Sequence, residues 1–148
     1  MESKRIYDMS YSWIKMYIRD NKTNRIAIQY SNFDINTAYD LRKTIDMILT
    51  KYSSEIETKL GLKKKRRIIN ANVSVNLIKG EEREELEARL TQITKLQKAN
   101  QTDRILIEYD KLDDRIMVDD LRKAIDLTLI VRKRETWYAI SNSSQFMR

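Results

Sequence analysis

The chain contains no cysteine and no histidine among its 148 residues. Without cysteine it can form no disulfide, present no thiolate nucleophile and bind no zinc or iron–sulfur cluster through thiolates. Without histidine it lacks the commonest general base and the commonest metal ligand of proteins. Serine–histidine catalysis, cysteine–histidine catalysis and histidine-ligated zinc are therefore excluded within this chain.

Proline is also absent, and Gly61 and Gly80 are the only two glycines. Phosphate-binding loops of the Walker and Rossmann types need several closely spaced glycines, so neither is expected. The residues after Met1 include no apolar run of the length that a signal peptide or a membrane span requires. We therefore expect a soluble, cytoplasmic protein that uses no cofactor and no metal and contacts no membrane.

Positive charge is in moderate surplus. Lysine and arginine number 29 against 22 aspartates and glutamates, which gives a net charge of +7. Such a surplus attracts polyanions, and nucleic acid is the commonest polyanionic partner. The same charge is also typical of soluble basic proteins that bind no polyanion, so composition leaves both interpretations open.

Two nearly identical heptapeptides lie about eighty positions apart. The letters DLRKTID stand at 40–46 and DLRKAID at 120–126. The similarity extends over about 23–49 and 102–129 if Asp34 is aligned with Asp113 and one inserted residue follows in the second copy. Matches in this order indicate an internal duplication. We expect a single domain over 1–148 that contains two copies of one strand–helix unit.

Each copy predicts a strand followed by an amphipathic helix. Ile26, Ile28 and Tyr30 recur at every second position, as Ile105, Ile107 and Tyr109 do in the second copy, and this period of two predicts a strand. Apolar residues then recur at three- and four-residue steps, ending before Gly61, which suits a helix C-cap. The heptapeptide thus encodes the first turns of a helix with a charged outer face.

The charged residues of the two heptapeptides allow two interpretations. The simpler one is that they are a solvated helix face, repeated because the fold unit is repeated. The sharper one is that Arg42 and Arg122, with Lys43 and Lys123 beside them, form a pseudo-symmetric pair of phosphate contacts.

The remaining segments predict two further strands and one helix. Residues 11–19 and 69–77 alternate with period two, and 81–99 shows helical spacing. Together these patterns predict an α+β fold of about four strands and three helices, in the order ββαβαβα, with the helices mainly on one face of the sheet. Residues 137–148 lose periodicity and are predicted to be a flexible tail.

The predicted strand at 11–19 carries aromatic and basic residues on one face. Alternating aromatic rings and cations are typical of surfaces that bind single-stranded nucleic acids, by base stacking and by phosphate contacts. The alternative is that the aromatic rings pack in the core while the cations reach solvent. With the basic run 63–67, the predicted nucleic-acid-binding residues are Trp13, Lys15, Tyr17, Arg19, Lys63, Lys64, Lys65, Arg66, Arg67, Arg42 and Arg122.

These observations are compatible with three functions. The leading hypothesis is a non-enzymatic protein that binds nucleic acid, with single strands favoured, and that forms a homo-oligomer. The alternative is a protein-binding regulator or inhibitor, also oligomeric, of the kind that viruses and mobile elements encode. A distant third is a Mg²⁺-dependent nuclease, because Glu108, Asp110, Lys111, Asp113 and Asp114 cluster after a predicted strand.

Overall fold

A computed structural model describes residues 2–61 and 80–146, which form four α-helices and two short strands. In chain order they are α1 (Glu2–Asp20), β1 (Arg25–Gln29), α2 (Ile35–Leu60), α3 (Glu81–Asn100), β2 (Arg104–Glu108) and α4 (Arg115–Phe146). A 3-10 turn follows each strand, at Tyr30–Asn32 and at Tyr109–Lys111. The described part of the chain is mostly helical, so the predicted four-stranded α+β fold is wrong.

The predicted strand at 11–19 is part of helix α1. The buried residues here are Ser10, Ile14, Tyr17 and Asn21, at steps of four, three and four residues. That spacing keeps them on one side of a helix and of the turn that follows it. Met16, which a strand would place on the same face as the buried Ile14, is exposed. Burial against the rest of the protein therefore selected the helical period over the alternation.

The described residues include most of the predicted tail but not the predicted strand at 69–77. Residues 137–146 continue helix α4, and Thr136 and Ile140, one turn apart, are buried. The helix therefore extends through the first ten residues of the segment predicted to be flexible. The strand predicted at 69–77 and the basic run 63–67 lie outside the described residues.

The strand–helix unit predicted for each copy is present. Leu41, Ile45 and Leu49 are fully buried along α2, as the apolar stripe predicted. Gly61 has a left-handed backbone (φ 72°), and its N–H donates to the carbonyls of the last turn of α2. A residue with a side chain would be strained in this conformation, which explains the glycine.

The two strands that pair come from the two copies. β1 and β2 run antiparallel with Ala27 opposite Leu106, and they form a two-stranded ribbon. Four isoleucines on one face of the ribbon point into the core: Ile26, Ile28, Ile105 and Ile107. The residues between them face outwards. Residues 79 positions apart take equivalent places, so an approximate two-fold axis passes between Ala27 and Leu106.

The helices pack between copies as well. α1 packs mainly against α4, and α3 against α2, while α2 and α4 also pack on each other. The equivalence extends to the helix before each strand, because Ile14 of α1 and Ile93 of α3 are 79 positions apart and both fully buried, so each copy includes that helix. Each copy therefore covers its apolar helix faces largely with the helices of the other copy, and the two copies are interlocked.

A tyrosine, an asparagine and an arginine join the two copies at each end of the ribbon. At one end the Tyr30 hydroxyl donates to the Asn100 side-chain oxygen, and the Arg42 guanidinium lies 4.0 Å over the Tyr30 ring. Arg42 also donates to the carbonyls of Asn100 and Thr102, at the end of α3. The arginine thus satisfies carbonyls that a helix C-terminus leaves unpaired.

The other end of the ribbon has the same arrangement. Tyr109 donates to Asn21, the Arg122 guanidinium lies 4.1 Å over the Tyr109 ring, and Arg122 donates to the carbonyls of Asn21 and Thr23. Burial raises the pKa of Tyr109, and likewise of the equivalent Tyr30, above the ordinary tyrosine value, although a neighbouring arginine opposes that effect. Both hydroxyls therefore remain hydrogen-bond donors at neutral pH.

The asparagine of each cluster should contribute strongly to stability. Asn100 is fully buried, and its amide donates to the Arg42 carbonyl (3.0 Å) and to Asp46 (2.7 Å). Asn100→Ala leaves the Tyr30 hydroxyl and other buried groups unpaired, so we expect a loss of about 2–4 kcal/mol in the free energy of unfolding. Asn21→Ala should behave alike. Gln101→Ala, at an exposed neighbour, should cost less than about 0.5 kcal/mol. Urea denaturation measures all three, and equal values for Asn100 and Gln101 would contradict the role assigned to the cluster.

Candidate functional site

The predicted aromatic and basic face is divided between two sides of helix α1. Residues two apart in a helix are separated by about 200°, so Trp13 and Tyr17 share one side, and Lys15 and Arg19 share the opposite side. Tyr17 is only 3% exposed, and its ring lies 5.6 Å from that of Trp13, which packs against the core. Lys15 and Arg19 are exposed. The structure does not bring these four residues together as one binding surface.

Tyr17 connects α1 to the end of β1. Its hydroxyl accepts hydrogen bonds from the Gln29 backbone N–H (3.2 Å) and the Asn32 side chain (3.1 Å), and its ring contacts Phe33. A ring in these contacts has no face free for a nucleotide base. The alternative interpretation of the sequence, in which the aromatic residues pack and the cations reach solvent, matches this geometry.

The two arginines of the repeated heptapeptide also have intramolecular partners. Arg42 and Arg122 stack on tyrosine rings and donate to backbone carbonyls of the other copy. Their position explains why the heptapeptide is repeated, because its leucine and isoleucine are buried while its arginine caps a helix. Lys43 and Lys123, beside them, are exposed. Phosphate binding by the two arginines would have to compete with these contacts.

The positive charge is concentrated outside the described residues. Segment 62–79 holds six lysines and arginines and no aspartate or glutamate, so the rest of the chain has a net charge of only +1. This segment includes the predicted basic run 63–67. The rest of the chain is thus almost neutral overall, and the excess of positive charge lies in one short stretch.

The acidic cluster considered for a nuclease is used for local structure. Glu108 forms an ion pair with Lys111 at 3.1 Å, and the Asp114 carboxylate accepts from the Met117 N–H at 3.1 Å as the cap of α4. Within residues 2–61 and 80–146 there is no group of three or more acidic side chains placed to hold a metal ion. The acidic residues considered for a nuclease therefore do not form such a group in the described part of the chain.

Asp34 caps α2 as Asp114 caps α4, which corrects the alignment of the repeat. The inserted residue precedes the cap, so Asp34 corresponds to Asp114 and not to Asp113. Asp34 is buried, and it accepts hydrogen bonds from Ser10 and Thr37 and pairs with Arg132 at 3.5 Å.

Burial alone would raise the pKa of Asp34. Hydrogen bonds from Thr37 and Ser10 and the charge of Arg132 outweigh burial and lower that pKa below the ordinary aspartate value. A lowered pKa stabilises the folded state above the unfolded-state pKa, and this contribution is lost as pH falls through the folded-state value. The carboxylate holds α1, α2 and α4 together while it is ionised.

Two surfaces appear that the sequence analysis did not identify. The first, here called the ribbon face, is the outward side of the two strands: Arg25, Ala27, Gln29, Arg104, Leu106 and Glu108. The signal for it was the set of residues that alternate with the buried isoleucines. Only the pairing of β1 with β2 shows that these two sets are adjacent.

The second surface is a groove of about 370 Å³ between α2 and α4. Exposed apolar side chains line it: Met47 is 62% exposed, Leu127 is 65% exposed and Val131 is 48% exposed. Met47 and Leu127 are equivalent positions of the two copies. The signal in the sequence was an apolar residue at the same off-stripe position of both helices.

Comparisons with known proteins give no relative for this chain. No protein-family model, no curated protein and no solved structure matches it significantly. Among the described residues, no helix combines the length and the apolar character needed to cross a membrane. Function must therefore be argued from the surfaces themselves.

Separate substitutions of Trp13 and Lys15 test whether α1 carries a binding face. Trp13→Ala removes a partly buried ring that packs against the core, so we expect the free energy of unfolding to fall by about 3 kcal/mol, the low end of the range for a large aromatic residue. Lys15→Ala, at an exposed position, should change stability by less than about 0.5 kcal/mol. Both variants should keep the wild-type affinity for single-stranded DNA when measured while folded. A stable Trp13→Ala protein that lost this affinity would restore the aromatic-face hypothesis.

Proposed function

We propose that the protein is a non-enzymatic, intracellular nucleic-acid-binding protein. The observation that carries this proposal is the concentration of positive charge: segment 62–79 has six cationic side chains and no acidic one. A dense cluster of cations gains affinity for a phosphate backbone by releasing condensed counterions. The same number of cations spread among acidic neighbours would have a much weaker effect.

The helical body supports this proposal by anchoring the basic segment. The segment begins after α2, which ends at Leu60, and it finishes before α3, which begins at Glu81. These two helices pack against each other. Both ends of the segment are therefore attached to one pair of packed helices.

Salt-dependent binding tests the proposal. Fluorescence anisotropy with labelled single-stranded DNA, duplex DNA and RNA should show affinity that falls steeply with salt. With six cations, the slope of log K against log salt should not exceed about 5 in magnitude for duplex DNA. Substitution of Lys63, Lys64, Lys65, Arg66 and Arg67 by glutamine should lower affinity more than about tenfold at low salt.

A matched control tests whether the affinity depends on this segment or only on the total charge of the protein. Substitution by glutamine of five exposed cations elsewhere removes the same charge: Arg5, Lys15, Lys95, Lys98 and Arg134. This control should retain most of the affinity. If wild-type protein bound none of the three polymers at about 50 mM salt, the proposal would fail, because electrostatic binding is strongest at low salt.

The groove between α2 and α4 supports a second candidate function, a protein-binding regulator that acts as a homo-oligomer. Methionine is enriched at protein interfaces, and exposed apolar patches commonly mark binding sites. Met47, Leu127 and Val131 form such a patch, and Lys43 and Asp40 at its border carry opposite charges. Opposite charges on one patch suit a symmetric contact in which the same surface meets its own copy.

The mass in solution tests self-association. If the groove is a dimer contact, sedimentation should give twice the 17.7 kDa mass of the chain. The double variant Met47→Glu, Leu127→Glu should be monomeric and still folded, because both side chains are largely exposed. Ile35→Glu, at a position that is 86% exposed and does not line the groove, is the control and should leave the mass unchanged. A wild-type monomer at high concentration would exclude self-association through this groove.

A further inference from the structure

The ribbon face is an exposed, two-fold-related surface that the proposed function does not yet use. Arg25 and Arg104 occupy equivalent positions in β1 and β2, and both are exposed. Ala27 and Leu106 lie opposite each other at the centre, and Leu106 is 41% exposed. The face therefore has one arginine toward each end and apolar groups on the axis.

The charge of this face is positive once its internal contacts are considered. Its one acidic residue, Glu108, lies opposite Arg25 in the ribbon, and its carboxylate is paired with Lys111 at 3.1 Å. Arg104 donates to the neutral side chain of Gln29 at 3.0 Å, which orients the guanidinium without neutralising it. The two arginine charges thus remain available to an anionic partner.

The dimensions of the ribbon match one kind of nucleic acid. The major groove of B-form DNA is wide enough for a two-stranded antiparallel ribbon. Arg104 lies opposite Gln29, four residues along β1 from Arg25. At the rise of an antiparallel strand, the two arginines are roughly 14 Å apart at their Cα atoms. This corresponds to about four base-pair steps of 3.4 Å.

The composition of the face favours a duplex over a single strand. Proteins that bind single strands use aromatic rings as stacking platforms. None of the six residues of the ribbon face is aromatic. Arginine and glutamine instead match the hydrogen-bonding edges of guanine and adenine, and an apolar side chain such as Leu106 can contact the thymine methyl group.

We propose that the ribbon face enters the major groove of duplex DNA, with Arg25 and Arg104 as two-fold-related contacts to guanines about four base pairs apart. This inference rests on the proposed nucleic-acid function and makes it specific. Gln29 and Glu108 are equivalent positions with different chemistry, since glutamine matches adenine and a carboxylate accepts from cytosine. The preferred site should therefore be nearly, but not fully, palindromic.

Selection from a randomised pool of duplex DNA tests the proposal with the full-length chain. The wild-type protein should enrich sites with two guanines related by an approximate dyad. Arg25→Ala, Arg104→Ala should lose this preference and bind the enriched site at least about tenfold more weakly. The control Arg5→Ala, Arg134→Ala removes two exposed arginines that lie outside the ribbon, in α1 and α4. This control should bind within about twofold of wild type.

A second measurement needs no variant. Methylation of guanine N7 blocks the major-groove edge, so it should interfere with wild-type binding at the two guanines and not elsewhere in the site. Interference at neither guanine, or unchanged selectivity in the ribbon variant, would overturn this inference. If the glutamine variant of 63–67 still lost affinity in that case, the nucleic-acid function would survive alone. If no polymer bound at all, both proposals would fail.

Discussion

The antiparallel pairing of β1 with β2 is the contact on which the rest of the structure depends. A two-stranded ribbon is marginally stable by itself. Here its four isoleucines are buried under helices from both copies. The register also places Tyr30 beside Asn100 and Tyr109 beside Asn21, so that each tyrosine reaches the helix end of the other copy. The stability of each copy thus depends on the other, which explains why the two are interlocked.

The two copies share some of their contacts and differ in others. The tyrosine, asparagine and arginine clusters are the same at both ends of the ribbon, since they satisfy backbone groups that any version of the fold must satisfy. At the crossing of α2 and α4 the equivalent pairs differ. Arg132 approaches Asp40 at 3.7 Å, whereas Tyr52 donates to Asp120. The side-chain pairs between these helices thus differ between the copies, whereas the clusters at the ribbon ends are the same.

The residues that stabilise the fold and the residues that carry the excess charge lie in different parts of the sequence. The repeated heptapeptide contributes core side chains and helix caps, so its conspicuous charges are explained by folding. The excess charge lies in segment 62–79, which has no counterpart in the repeat. The surfaces that folding leaves free are the ribbon face and the groove between α2 and α4. The surfaces proposed for binding therefore consist of residues that the interlocked core does not require.

The sequence by itself determined both strands, the helices after them and α3, because each depends on a local period or on a glycine cap such as Gly61. The two similar heptapeptides indicated the duplication. The sequence also contained a signal for α1 that went unused: the 79-residue offset that pairs the two strands also pairs Asn21 with Asn100 and aligns 2–20 with the predicted helix at 81–99. Only the tertiary structure decided that the two repeat strands pair with each other, that Tyr17 is buried and that Arg42 and Arg122 cap helices of the opposite copy. The strand pairing and the arginine caps depend on contacts between residues about 60 to 100 positions apart, and Tyr17 is held by residues 12 to 16 positions along the chain. A local period carries no information about which of these segments completes a surface.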